Sequence, residues 1–130
     1  MRILVVDDEN DVTMVISEAL RDLGHEVDCA ASGHDAIALA AEIRPDAALV
    51  DIGLPDMDGI TLAELLRGAV HGKRLRIVAF SGYGDPALHG AVQRELFDDY
   101  LLKPSSLKAI EKALVAPTAP AAARAAQQPR

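Results

Sequence analysis

Aromatic residues are scarce in this chain of 130 residues: Phe80, Phe97, Tyr83 and Tyr100 are its full complement, and tryptophan is absent. The core must therefore be built from Leu, Val, Ile and Ala. Cysteine occurs once, at Cys29, which excludes an internal disulfide. A single small thiol between apolar neighbours is expected to be a buried packing residue. Positive charge is also in short supply, since thirteen Lys and Arg against twenty Asp and Glu leave a net charge of −7. No basic run could neutralise a phosphate backbone, so nonspecific binding to nucleic acid is excluded. A specific phosphate site needs only a cation or two and stays open. No apolar run approaches the roughly 18 residues that span a bilayer. The opening MRILVV has neither a charged-then-apolar leader nor a small-residue cleavage site. The expectation is a cytoplasmic protein with no membrane partner.

What is present is a regular alternation. The apolar runs ILVV (3–6), VDCA (27–30), AALV (47–50), RIVAF (76–80) and DYLL (99–102) read as five strands. Most are nearly continuous in apolar character, as expected of parallel strands covered on both faces. Helix-period segments lie between them. Residues 10–23 place Val12, Val15, Ile16, Ala19, Leu20 and Leu23 on one face and end at Gly24, a good C-terminal cap. Residues 33–43 repeat the pattern with Ala36, Ile37, Ala40 and Ile43, and Pro45 closes the segment. Residues 58–70 carry Ile60, Leu62, Ala63, Leu65 and Leu66, with Asp58 as the expected N-cap. Asp85-Pro86 predicts the start of a further helix using Leu88, Val92 and Leu96 and weakened by Gly90. Residues 105–115 form the last, with Leu107, Ile110, Leu114 and Val115 inward. Five β-α units imply one α/β domain over residues 1–115, with a parallel sheet and helices on both faces. Residues 116–130, rich in Ala, Pro and Gln, read as a disordered tail or linker stub.

The polar residues fall at one edge of this sheet. Asp7 and Asp8 follow the first strand, Asp51 ends the third, Ser81 ends the fourth and Lys103 follows the fifth. Ligands of open parallel sheets bind outside the carboxyl ends of the strands. Three carboxylates in one pocket cannot all stay ionised unless a cation relieves them. Hard oxygen ligands in small number suit Mg²⁺ or Mn²⁺. One carboxylate can act as a nucleophile and form an acyl phosphate, with Lys103 neutralising charge and the Ser81 hydroxyl bonding a phosphoryl oxygen. The plainer reading of Asp7, Asp8 and Asn10 is that they cap the first helix. A cap needs one of them and does not explain Asp51, Ser81 and Lys103 at matching strand ends. His25, His34, His71 and His89 lack metal-type spacing and are expected on the surface.

The stretches VVDDE, ALVDIGLPDMDG, IVAFSGYGD and DDYLLKP, in that order and spacing, resemble the receiver domain of two-component response regulators. The resemblance covers about residues 2–115. It implies a flavodoxin-like, doubly wound fold with sheet order 2-1-3-4-5. It further implies that Asp51 accepts a phosphoryl group from a phosphohistidine, and that Asp7, Asp8, Asp51 and the backbone carbonyl of Gly53 hold Mg²⁺, Asp8 more directly than Asp7. Ser81 and Tyr100 match the switch pair, Lys103 the phosphate-pairing lysine, and Lys103-Pro104 a cis peptide. The implied partners are a sensor histidine kinase or histidine phosphotransfer protein and a downstream protein target, with no direct nucleic-acid contact. The chain would be a monomer or a phosphorylation-linked homodimer. In that family the positions of Gly53 and Tyr83 tune water access to the acyl phosphate. The sequence departs from the family at residues 95–97, where Glu-Leu-Phe stands in place of a small-residue run, so another path into the fifth strand is expected there.

Other readings share parts of this pattern. A magnesium-dependent phosphatase would use Asp51 as nucleophile, yet no second aspartate lies two residues on as general acid, and no insertion would hold a substrate. A flavodoxin-like nucleotide binder would want a Ser/Thr/Gly-rich loop where DDENDV stands. A phosphorylation-independent pseudo-receiver would not need all five site residues. A receiver module cut from a hybrid histidine kinase fits the same motifs as a stand-alone regulator.

Overall fold

The computed structural model describes residues 1–70, 72, 74–82, 96–103 and 105–116. Its strands are β1 (Arg2–Val6), β2 (Glu26–Ala30), β3 (Ala47–Asp51), β4 (Arg76–Ser81) and β5 (Asp99–Leu102). All pair in parallel, in the order β2-β1-β3-β4-β5. The helices among the described residues are α1 (Asn10–Asp22), α2 (Gly33–Ile43), α3 (Gly59–Ala69) and α4 (Leu107–Val115). The predicted helix after Asp85-Pro86, together with Tyr83, His71, His89, the Lys103-Pro104 peptide and the tail from residue 117, lies outside the described residues.

The continuous apolar runs are explained by a core on each face of the sheet. Leu4, Val6, Ala48, Val50, Ile77 and Ala79 pack with α2 and α3 through Ala36, Ala40, Leu62 and Leu66. The alternate residues Ile3, Val5, Ala47, Leu49, Val78 and Phe80 pack with α1 and α4 through Ile16, Leu20, Ile110 and Leu114. Every residue of β3 and β4 is buried. Local signals set the helix ends. Ser32, Asp58 and Ser106 each accept a hydrogen bond from the backbone N–H three residues on. Gly24, at φ 96°, ends α1 in the left-handed region as predicted.

Several expected inward faces are narrower than the apolar pattern. In α1, Val15 is 68% exposed and Leu23 is also outside, whereas Thr13 and Ser17 are buried. The two hydroxyls can be buried because each has a partner: Thr13 donates to the Asp7 and Glu9 carbonyls, and Ser17 Oγ lies 2.8 Å from Cys29 Sγ. Leu65, Leu107 and Val115 are likewise exposed. Cys29, expected inside, is exposed, because β2 is an edge strand. His25, expected on the surface, has a side chain only 13% exposed and reaches Glu111 of α4 through Nε2 at 3.0 Å.

The bulky residues at 96 and 97 do not displace β5, which begins at Asp99 as predicted. Phe97 is fully buried in the α2–α3 core. Leu96 is tied down through its carbonyl, which accepts from Nε and Nη2 of Arg67 at 3.1 and 2.8 Å.

Candidate functional site

Parallel register decides which residues meet. Val6 lies beside Val50, Asp51 beside Phe80, and Ser81 beside Leu102. The residues at and just beyond these positions therefore converge at the carboxyl edge of the three central strands and β5. A cavity of about 460 Å³ opens there, lined by Asp8, Asp51, Gly53, Ser81 and Lys103 among others. Asp7 adjoins it, and one carboxylate oxygen from each of Asp7, Asp8 and Asp51 lies within 4.8 Å of the other two. Ser81 is buried at the end of β4, and its carbonyl accepts the Lys103 N–H at 2.6 Å. Tyr100 stands apart, half-buried against the α2–α3 core.

The acidic pair is not a helix cap. The N-cap of α1 is Glu9, without a side-chain cap bond. Asp7 is occupied otherwise: Oδ1 accepts the Glu9 N–H at 2.9 Å and Oδ2 accepts from Lys103 Nζ at 2.9 Å. Asp8 is exposed at the mouth. Asp51 Oδ1 accepts the Gly53 N–H at 3.1 Å and lies 3.5 Å from Lys103 Nζ. Among the described residues no hydrogen bond is made to Asp51 Oδ2, which leaves that oxygen available for chemistry.

Electrostatics separate the roles further. Burial pushes the Asp51 carboxyl above the usual range; the Gly53 N–H pulls it back, and the charges of Asp7 and Asp8 push it up against the opposing Lys103. Burial pulls the Lys103 ammonium down, but its bond to Asp7 and the charges of Asp51 and Asp7 outweigh this and raise it. Lys103 is therefore a fixed cation at neutral pH. Asp58, read as the N-cap of α3, is that: it accepts from Thr61 N–H at 2.8 Å.

The donor set suits a hard divalent cation. Three carboxylates stand close together, one is strained by burial, and one faces solvent, which matches a site of few protein oxygens completed by water. Asp7 has both oxygens engaged by protein partners, so Asp8 and Asp51 are the freer donors. Asp8→Ala should accordingly weaken Mg²⁺ binding about tenfold or more, by analogy with the 10–100-fold losses found around metal sites. Titration calorimetry checks this, and unchanged affinity would remove Asp8 from the ligand set.

Sequence reasoning missed one support of the loop that follows Asp51. Asp56 accepts from the Gly33 and His34 N–H groups at 2.9 and 3.0 Å and from the His34 ring, which ties the loop to the first turn of α2. These bonds, the Gly33 N–H foremost, hold the Asp56 carboxyl down at about 2. Close packing completes the clamp, since a Cβ on Gly59 would lie 3.1 Å from Ile52 Cα. No local motif signals a partner 22 residues away.

An open parallel sheet bearing three carboxylates and a lysine at its carboxyl edge defines an acidic, phosphate-compatible α/β domain. Residues 3–115 match the response regulator receiver domain family, and the chain belongs to that family. It is 37% identical over 106 residues to the regulatory protein AtoC of Escherichia coli (strain K12), covering 82% of this chain and 23% of AtoC. It is 33% identical over 107 residues to the signal transduction histidine-protein kinase BarA of the same strain, covering 80% of this chain and 11% of BarA. The chain thus spans under half the length of these curated relatives. Among solved structures it is similar to a response regulator protein from Burkholderia pseudomallei with a phosphorylated aspartic acid, calcium ion and citrate. That match has a TM-score of 0.79 at 25% identity and covers 97% of this chain and 71% of that one. No described helix is long and apolar enough to cross a membrane.

Proposed function

We propose that residues 1–115 are a phosphoacceptor: Asp51 takes a phosphoryl group from a phosphohistidine of a sensor kinase or phosphotransfer protein, with Mg²⁺ present. The observation that carries this reading is Asp51 itself, a carboxylate at the end of β3, 3.5 Å from Lys103 Nζ and within the acidic group. The free Asp51 oxygen attacks phosphorus, the bond from phosphorus to the histidine nitrogen breaks, and an acyl phosphate results. Asp7, Asp8, Asp51 and the Gly53 carbonyl would hold the metal, Asp8 more directly than Asp7. The bound cation supplies charge stabilisation for the transferring group. Lys103 neutralises the added negative charge, and the Ser81 hydroxyl bonds a phosphoryl oxygen.

Ser81 and Tyr100 then shift between two arrangements, biasing the surface around β5 and α4 towards a downstream protein target. The protein acts in the cytoplasm, as a monomer or a phosphorylation-linked homodimer, and residues 116–130 serve as a tail or linker. The phosphorylated aspartate of the Burkholderia relative supports the reading, as does the acidic cluster. The likeness to BarA supports a second form of it, in which the same module works within a longer hybrid kinase.

The test is intact-protein mass after incubation with acetyl phosphate. A magnesium-dependent gain of one phosphoryl group is expected, and its absence under all conditions would favour a docking-only pseudo-receiver. Lys103→Met should slow the gain about 10²-fold, the cost of removing one preorganised charge-stabilising donor; a rate near that of the natural chain would exclude Lys103 from the transfer.

A further inference from the structure

Lys103 separates two cavities. One is the polar site described above. The other, about 410 Å³, lies between α1 and α4 and is lined by Val12, Val15, Ile16, Phe80 and Ile110 together with Lys103. Lys103 thus lines both cavities. Its carboxylate holders, Asp7 and Asp51, both belong to the acidic group whose oxygens a divalent cation would claim. A third contact is free of that competition. Lys103 Nζ lies over the ring of Phe80, 5.2 Å from its centroid.

Phe80 is well placed to act on the lysine. It is 4% exposed, pairs with Asp51 in the β3–β4 ladder and directly precedes Ser81. A ring face attracts a cation within about 6 Å, most strongly where water is excluded. A hydrocarbon ring competes for neither metal nor phosphoryl oxygens. We propose that Phe80 is a positioning residue whose ring face keeps the Lys103 ammonium at the site when Asp7 and Asp51 are engaged elsewhere, and so sets the rate of phosphoryl uptake. The rate half of this rests on the reading of Asp51 as phosphoacceptor; the contact itself does not.

The competing account is that Phe80 merely fills the α1–α4 core, to which it also belongs. Two substitutions separate them. Phe80→Leu keeps an apolar side chain and removes the ring; Phe80→Tyr keeps the ring, which lines the adjoining cavity. In the full chain, the Lys103 ε-methylene protons should show an upfield ring-current displacement by NMR, retained in Phe80→Tyr and lost in Phe80→Leu. Uptake from acetyl phosphate should slow about fivefold in Phe80→Leu, the size expected of one cation–π contact, and stay near the natural rate in Phe80→Tyr. Mg²⁺ affinity should not change in either, since no ligand is altered, whereas general damage to the site would lower it. Ordinary ε-methylene shifts in the unmutated protein would overturn the proposal without any variant having to fold. A Phe80→Leu chain labelling at the natural rate would overturn it as well. Should the unmutated chain take up no phosphoryl group, the Asp51 reading falls and the rate half falls with it, while the ring current still decides the contact.

Discussion

Asp51→Asn should take up no phosphoryl group under conditions that label the natural chain completely, and without metal it should unfold at a higher temperature. The first effect follows from chemistry: an amide oxygen in place of the carboxylate is no nucleophile. The second follows from the cost of keeping that carboxylate charged. Burial, with Asp7 and Asp8 nearby, raises the folded-state pKa of Asp51 above its unfolded value. Between those two values the folded chain binds more protons than the unfolded one, so stability falls as pH rises through the window. Above that window the full penalty is present and Asn removes it. An increase in melting temperature is therefore expected, in the direction that burial of the carboxylate sets. The gain should vanish below pH 3.8, the ordinary carboxylate value, and should shrink when Mg²⁺ is added. Melting curves at several pH values check it, and a lower melting temperature for Asp51→Asn at neutral pH would mean that the carboxylate stabilises the fold.

The second large effect lies far from the site. Arg67, near the end of α3, donates to the Leu75 carbonyl at 2.7 Å, to the Leu96 carbonyl, and to Asp98 Oδ2 at 3.1 Å. The Asp98 side chain is fully buried. It also accepts the Ile77 N–H at 2.8 Å and faces Arg74 at 3.4 Å. One planar guanidinium thus joins α3, the start of β4 and the approach to β5. Arg67→Ala would take one partner from a buried carboxylate and the donor from two carbonyls. Weakening a buried pair in this way costs about 3 kcal/mol, the low end because the Ile77 N–H and Arg74 remain on Asp98. The urea midpoint should fall accordingly. Arg67→Lys should recover little, because an ammonium cannot reproduce the fork. Replacing both partners, Arg67→Met with Asp98→Leu, should recover part of the loss. A single-variant cost below ~1 kcal/mol would contradict the network.

The contrast between these two regions shows what a sequence can reveal. The strands were legible because a parallel sheet covered on both faces turns each strand into a continuous apolar run, whereas their order was implied only by the resemblance to the receiver family. The acidic pair, Asp51, Ser81 and Lys103 were legible because each follows such a run, so strand ends alone bring them to one edge. The inner face of α1 was not. Thr13 and Ser17 can be buried only because Asp7, Glu9 and Cys29 supply partners, and those partners exist only in the folded chain. Arg67 and Asp98 lie 31 residues apart on unremarkable surface-type positions, and nothing local predicts their meeting. The ring of Phe80 reads from sequence as one more core residue of β4, until the path of Lys103 across it is known.

The most direct test of the central claim is to map the phosphoryl group. The full chain is incubated with acetyl phosphate and Mg²⁺, digested, and sequenced by mass spectrometry. The account predicts one phosphoryl group, on Asp51, absent when Mg²⁺ is chelated. A phosphoryl group on any other residue, or uptake indifferent to metal, would contradict it.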